Sequence, residues 1–195
     1  QQYANVNDMK HIMLMILLGI IFGIVGRLFS TALSVSKTFL KDKIKNSYKR
    51  IGYVSIILVI GLMIFKGRYS GLGTNLIELS FHQNVTVYDW FLKLIFTVIT
   101  LAIGFQGGEV TPLFSIGSTL GFILAYLFHL PIELCAALGY AGVFASATNT
   151  LFAPIMIGLE VFGGSNMFAF IIVCIFAYLI NGNKSIYTAQ SNEMK

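Results

Sequence analysis

Apolar residues fall along this chain in blocks, and the blocks shorten and break as the chain proceeds. Residues 11–36 form the longest, interrupted by Arg27 and by hydroxyl residues near its end. At about 1.5 Å of rise per residue, a helix of this length crosses about 30 Å of hydrocarbon with residues to spare. A second block, 51–66, reaches about 24 Å by the same rise, slightly short of a crossing. Residues 69–81 are Gly-punctuated and polar, and 88–105 make another near-span ending at Gly104. The pattern then predicts a helix over 112–128, a break at His129-Leu130-Pro131, and short apolar helices over 132–146 and 151–163. The polar run SATNT (146–150) separates that pair. Residues 166–180 are apolar again, and a polar segment, GNKSIYTAQSNEMK, closes the sequence. Neither an internal repeat nor a low-complexity segment is visible.

Composition turns this pattern into a membrane assignment. Of 195 residues, 56% are hydrophobic and 11% charged, whereas soluble domains carry about 25% charged residues. The mean hydropathy of +0.81 excludes disorder as well as a soluble fold. The net charge of +5 has a local origin: Lys37, Lys41, Lys43, Lys45, Lys49 and Arg50 stand against Asp42 alone within 37–50. Between two apolar blocks, such a stretch is a topology signal and not a nucleic-acid site. Cys135 and Cys174 form no paired ligand pattern, and His11, His82 and His129 share no metal spacing, so no metal and no cofactor is expected. The sequence opens Gln-Gln-Tyr without Met, as expected of a piece of a longer chain.

A simple spanning bundle has uniform apolar stretches of about 20 residues. Here the helices are short and interrupted. Backbone that leaves its helix at membrane depth is tolerated only where it lines a cavity or is covered by protein. Half-helices that meet near the midplane build the ion sites of transporters. The composition indicates a membrane protein; the segmentation indicates a pathway.

The chemistry concentrates in Gln106-Gly107-Gly108-Glu109-Val110-Thr111-Pro112-Leu113. Thr111 suits an N-cap and Pro112 a first helical position, which predicts a helix beginning at about 112. Gly107 and Gly108 allow the chain to unwind just before it. Amides near Glu109, Val110 and Thr111 would then face an anion with the positive end of a helix dipole behind them. The alternative is a Gly-bearing helix start packed on a neighbour, as the Gly19/Gly23 and Gly117/Gly121 spacings suggest elsewhere. On these grounds the two stand level. Glu109 favours a site, because carboxylates within apolar segments mark ion or proton paths; its competing placement is at the surface end of 88–105.

The run GGEVTPLFSIGSTLG resembles the helix-start motif of the CLC chloride channel and transporter family, Gly-Gly-x-x-x-Pro before an apolar helix. GYAGVFASATNTLFAPIMIGLE is similar to that family's two short helices ending in Leu-Glu, and GNKSIYTA places Tyr187 at its pore-facing tyrosine. LLGIIFGIVGRLF and YSGLGTNLIE resemble earlier segments, so the likeness runs in order from about residue 11 to 190. The Glu-Val-Thr-Pro form is similar to the fluoride/proton antiporter branch.

The resemblance implies an all-α integral membrane fold of tilted and broken helices. Residues 1–195 would make one membrane domain corresponding to the second half of an inverted-repeat transporter, with the first half and its gating glutamate absent. It also implies an anion site of Gly108, Glu109, Val110, Thr111 and Tyr187, with Gly107 and Pro112 forming the helix start. The implied function is fluoride export in exchange for protons, with a chloride channel or chloride/proton antiporter as the alternative. Its implied partners are halide ions, protons, the lipid bilayer of a bacterial-type plasma membrane, and a second complete protomer in a homodimer. An intramembrane enzyme would need a Ser–His pair, paired aspartates or HExxH within spans; Asp8, Asp42 and Asp89 lie outside spans or at their edges. A non-transporting structural subunit is the remaining rival class.

The charge pattern predicts an orientation. Six basic residues put 37–50 on the cytoplasmic side, whereas Lys10 alone precedes the first block. A Lys45→Cys variant of the complete protein should resist a membrane-impermeant maleimide in intact cells and react after permeabilisation. Labelling in intact cells would reverse the orientation.

Overall fold

The computed structural model describes residues 9–82, 84–105 and 107–187. Gln106 of the motif above, Asp8, and residues 188–190 of the matched stretch lie outside them. The described residues are helical, with no strand among them: α1 (Met9–Lys43), α2 (Ser47–Ile64), α3 (Thr74–Phe81), α4 (Asp89–Ala102), α5 (Val110–Phe128), α6 (Ile132–Thr148), α7 (Phe152–Phe162) and α8 (Met167–Asn181).

Most of the basic stretch is helical, not a loop. Helix α1 continues to Lys43 because Lys41 and Lys43 occupy its last turn, where the negative end of the dipole favours cations. Only 44–46 separate it from α2, whose start is capped by Asn46: its side-chain oxygen accepts from the amides of Tyr48 (3.0 Å) and Lys49 (3.3 Å). The expected breaks are present. His129 and Asn149 both adopt left-handed backbone at the ends of α5 and α6, and Pro131 precedes the first residue of α6. SATNT is thus the last turn of α6 and its exit.

The core gathers around α6, which packs on α5, α1, α8 and α7. Every α6 residue from Cys135 to Thr148 except Tyr140 is buried. Such closeness needs residues without side chains. A Cβ at Gly117 would fall inside the envelope of the Gly139 carbonyl, one at Gly139 inside that of Gly117, and one at Gly121 against the Cys135 carbonyl. The α5 and α6 backbones therefore touch. Gly19 and Gly23 of α1 meet α8 in the same way, and Gly26 admits Ser146, whose hydroxyl donates to the Gly23 carbonyl at 2.7 Å. Small-residue contacts of this kind replace the hydrophobic drive that lipid cannot supply.

Four helical stretches, α1, α2, α5 and Gly164–Asn181, are long and apolar enough to cross a membrane. Their surroundings differ. The apolar window of α5 is 72% buried and that of α2 only 6%. Ile56, Ile57, Val59, Ile60 and Met63 of α2 are exposed, which suits a helix that faces lipid or protein beyond these residues.

The glycine contact predicts a large effect. In the detergent-solubilised complete protein, Gly117→Val should lower the thermal unfolding midpoint, at a cost of about 1–3 kcal/mol or more from overpacking. Gly52→Val, where a Cβ meets nothing, should leave the midpoint in place. Equal midpoints for Gly117→Val and wild type would contradict the packing.

Candidate functional site

Helix α4 stops because Gly104 takes φ +107°, a conformation that a side chain resists. The guanidinium of Arg50 donates to the Ile103 carbonyl (3.3 Å) and covers one open acceptor there. The chain then turns through exposed Gly107 and Gly108 into α5. The helix begins earlier than the sequence suggests: Val110 is its first residue and Glu109 stands at the N-cap, so Thr111 is inside the helix instead of capping it. Pro112 explains the difference. A proline lacks an amide that no first-turn residue uses within the helix, so it fits the third position as well as the first.

This shift leaves the same three amides in the first turn. Those of Glu109, Val110 and Thr111 have no acceptor inside the helix, and the side chain of Glu109 makes no cap bond at the start. The Glu109 carboxylate therefore does not satisfy its own helix. Glu109, Val110 and Thr111 are half-buried and Pro112 is buried. Behind them, the Phe114 ring stacks on Tyr140 of α6 at 3.9 Å, so the α5 start is held by the α6 contact.

Tyr187 comes to this region through the end of α6. Buried Asn181 donates from Nδ2 to the Asn149 side-chain oxygen (3.2 Å) and to the Lys184 carbonyl. The Ser185 hydroxyl donates to the Thr148 carbonyl (3.0 Å), and the Ile186 amide to the Ala147 carbonyl (2.9 Å). The Tyr187 amide donates to the Ser185 hydroxyl at 3.1 Å. Partial burial, and then the nearby Glu109 carboxylate, push the Tyr187 phenol above its ordinary value. Tyr187 thus lies within electrostatic reach of Glu109 and keeps its proton, so its hydroxyl can donate to an anion.

Comparison with known proteins shows the family. The family model for voltage gated chloride channels matches residues 1–182. The chain belongs to this CLC family. It is 40% identical over 186 residues to a "Chloride/fluoride channel protein" of Pseudomonas syringae pv. tomato (strain ATCC BAA-871 / DC3000), which covers 92% of this chain and 41% of that protein. It also superposes on the crystal structure of a CLC-type fluoride/proton antiporter with a TM-score of 0.94 at 51% identity, over 97% of this chain and 48% of that one. The all-helical fold is that of the CLC family, and the protein is a membrane protein. The chain spans less than half the length of these two relatives.

Residues for which no functional role was expected surround the candidate site in this CLC chain. Asp89, expected at a span edge, is the first residue of α4 and fully buried. Arg68 pairs with both of its oxygens (3.0 and 2.5 Å), the Tyr69 hydroxyl donates at 2.7 Å, and the Thr86 amide at 2.8 Å. One turn later, Lys93 donates to the carbonyls of Tyr69 (3.1 Å) and Gly71 (2.7 Å). These bonds hold the 68–73 turn against α4, beside the first turns of α5. The available signal was a lysine inside the apolar block 88–105, since intramembrane charges mark function by default. Asn149, Asn181 and Ser185 gave no such signal, being ordinary polar residues at helix ends.

Proposed function

We propose that the protein containing these residues exports fluoride across a bacterial plasma membrane in exchange for protons, with the α5 start as its anion site. The observation that carries this reading is an uncapped helix N-terminus with a glutamate at the cap, a threonine in the first turn and a tyrosine hydroxyl nearby. Fluoride is small and strongly hydrated, so a site must replace its water with strong, closely spaced donors. The amides of Glu109, Val110 and Thr111, the flexible Gly107-Gly108 approach, the Thr111 hydroxyl and the Tyr187 hydroxyl are donors of that kind. Pro112 ends this set of amides without weakening the helix.

Glu109 serves the exchange. Ionised, it repels a bare anion; protonated or turned aside, it leaves the amides open and carries the proton in return. Both relatives are named for fluoride, and one for proton antiport, which supports carrying the same activity to this chain. Chloride transport is the second reading, because the Pseudomonas relative's name includes chloride. The family consists of channels and transporters, and no enzymatic step is assigned here. The described residues correspond in this reading to the second half of an inverted repeat. The other half completes the site, a second complete protomer pairs with the first, and the lipid bilayer surrounds both.

Efflux from liposomes holding the complete protein tests this reading. Wild type should release fluoride far faster than chloride, and an outward fluoride gradient should drive proton uptake. Glu109→Gln should slow fluoride efflux at least about tenfold, the usual contribution of a positioned acid–base group. Thr111→Ala should narrow the fluoride preference about tenfold, the worth of one hydrogen bond to an ion. Equal rates for fluoride and chloride in the wild type would defeat the fluoride assignment. Wild-type behaviour of both variants would remove these two residues from the site.

A further inference from the structure

Lys93 carries a buried charge that no described residue neutralises. It is 1% exposed, and its ammonium donates to two neutral carbonyls, those of Tyr69 and Gly71. Asp89 is one turn away, but its two oxygens are taken by Arg68, Tyr69 and the Thr86 amide. The ion pair of Asp89 is with Arg68, not with Lys93. Carbonyl dipoles orient an ammonium without cancelling its charge, and a buried charge without a counter-ion is costly.

The position of Lys93 bears on this mismatch. A Cβ at Gly73 would come within 2.7 Å of Lys93 Cε and 2.6 Å of Ser115 Oγ, so the lysine stem runs beside the second turn of α5. An anion would relieve the mismatch. Room for one exists: a cavity of about 300 Å³, lined mostly by apolar groups such as Leu62, Leu72, Phe96 and Leu101, also takes in Lys93, Thr97 and Thr100 of α4 and the 107–108 glycines. The two glycines immediately precede Glu109, so this chamber and the α5 start share a wall. At about 30 Å³ per water, the volume suits an ion that keeps part of its hydration shell.

We infer that this chamber is a second halide station, with Lys93 as its charge, next to the site at the α5 start. It holds the partly hydrated ion, whereas the first-turn amides hold the stripped one. The inference rests on the anion-transport reading above and adds a site to it.

Calorimetric titration of the complete, detergent-solubilised transporter with sodium fluoride, and separately with sodium chloride, tests the station. Wild type should take up two halides per protomer of the favoured salt, Lys93→Arg two, and Lys93→Met one. Thr100→Phe fills the chamber without touching the Lys93 bonds and should also reduce uptake to one, so the test stands even where Lys93→Met does not fold. In liposomes, the half-saturating fluoride concentration should rise about tenfold or more for Lys93→Met and stay near wild type for Lys93→Arg. Uptake of one halide or none by wild type would overturn the station, as would two by Thr100→Phe or by a folded Lys93→Met. Two stations filled equally by both salts would instead defeat the fluoride reading and leave the chamber in place.

Discussion

The backbone contact between α5 and α6 is the constraint on which the remaining structure depends. Gly117 and Gly121 lie against the carbonyls of Gly139 and Cys135, and neither helix can move toward the other or slide by a residue without a clash. Through this contact α6 fixes the first turn of α5, where the candidate anion donors are. The other end of α6 fixes Tyr187, because the 181–187 segment is stitched to Ala147, Thr148 and Asn149. One rigid helix therefore sets the distance between the two sides of the site.

Electrostatics explains why such rigidity has a use. None of Gly108, Glu109, Val110, Thr111 and Tyr187 is a cation; what this candidate site offers an anion is orphan amides and a helix dipole, which are strong only when they are held still and shielded from water. Glu109 and Tyr187 share this environment, and the carboxylate helps to hold the Tyr187 phenol above its ordinary value. Lys93 adds a full charge slightly behind them. Asp89 already has three partners, so it is not the counter-ion of Lys93 among the described residues.

The sequence made the membrane class, the breaks at His129 and Asn149, and the Gly-Gly-Glu-Val-Thr-Pro helix start legible, because these depend on local chemistry: runs of apolar residues, left-handed caps and a proline. The first helical residue was misplaced by two positions, since proline is equally at home anywhere in a first turn. The extent of α1 was underestimated because lysines, which interrupt an apolar pattern, are stabilising at a helix C-terminus. The second role of the glycine pairs was half visible. Their spacing suggested close packing, but which helix each would meet depends on tertiary structure. The Arg68–Asp89–Lys93 group escaped notice because its members lie in two separate segments that meet only in the fold.

The most direct measurement of the central claim observes the amides themselves. In the complete protein with 15N-labelled valine and threonine, the resonances of Val110 and Thr111 can be followed as sodium fluoride is added. The structure predicts large, saturable shifts at these two amides, with little change at Val143 and Thr148 inside α6. Shifts absent from Val110 and Thr111, while the protein still transports the ion, would place the anion site elsewhere.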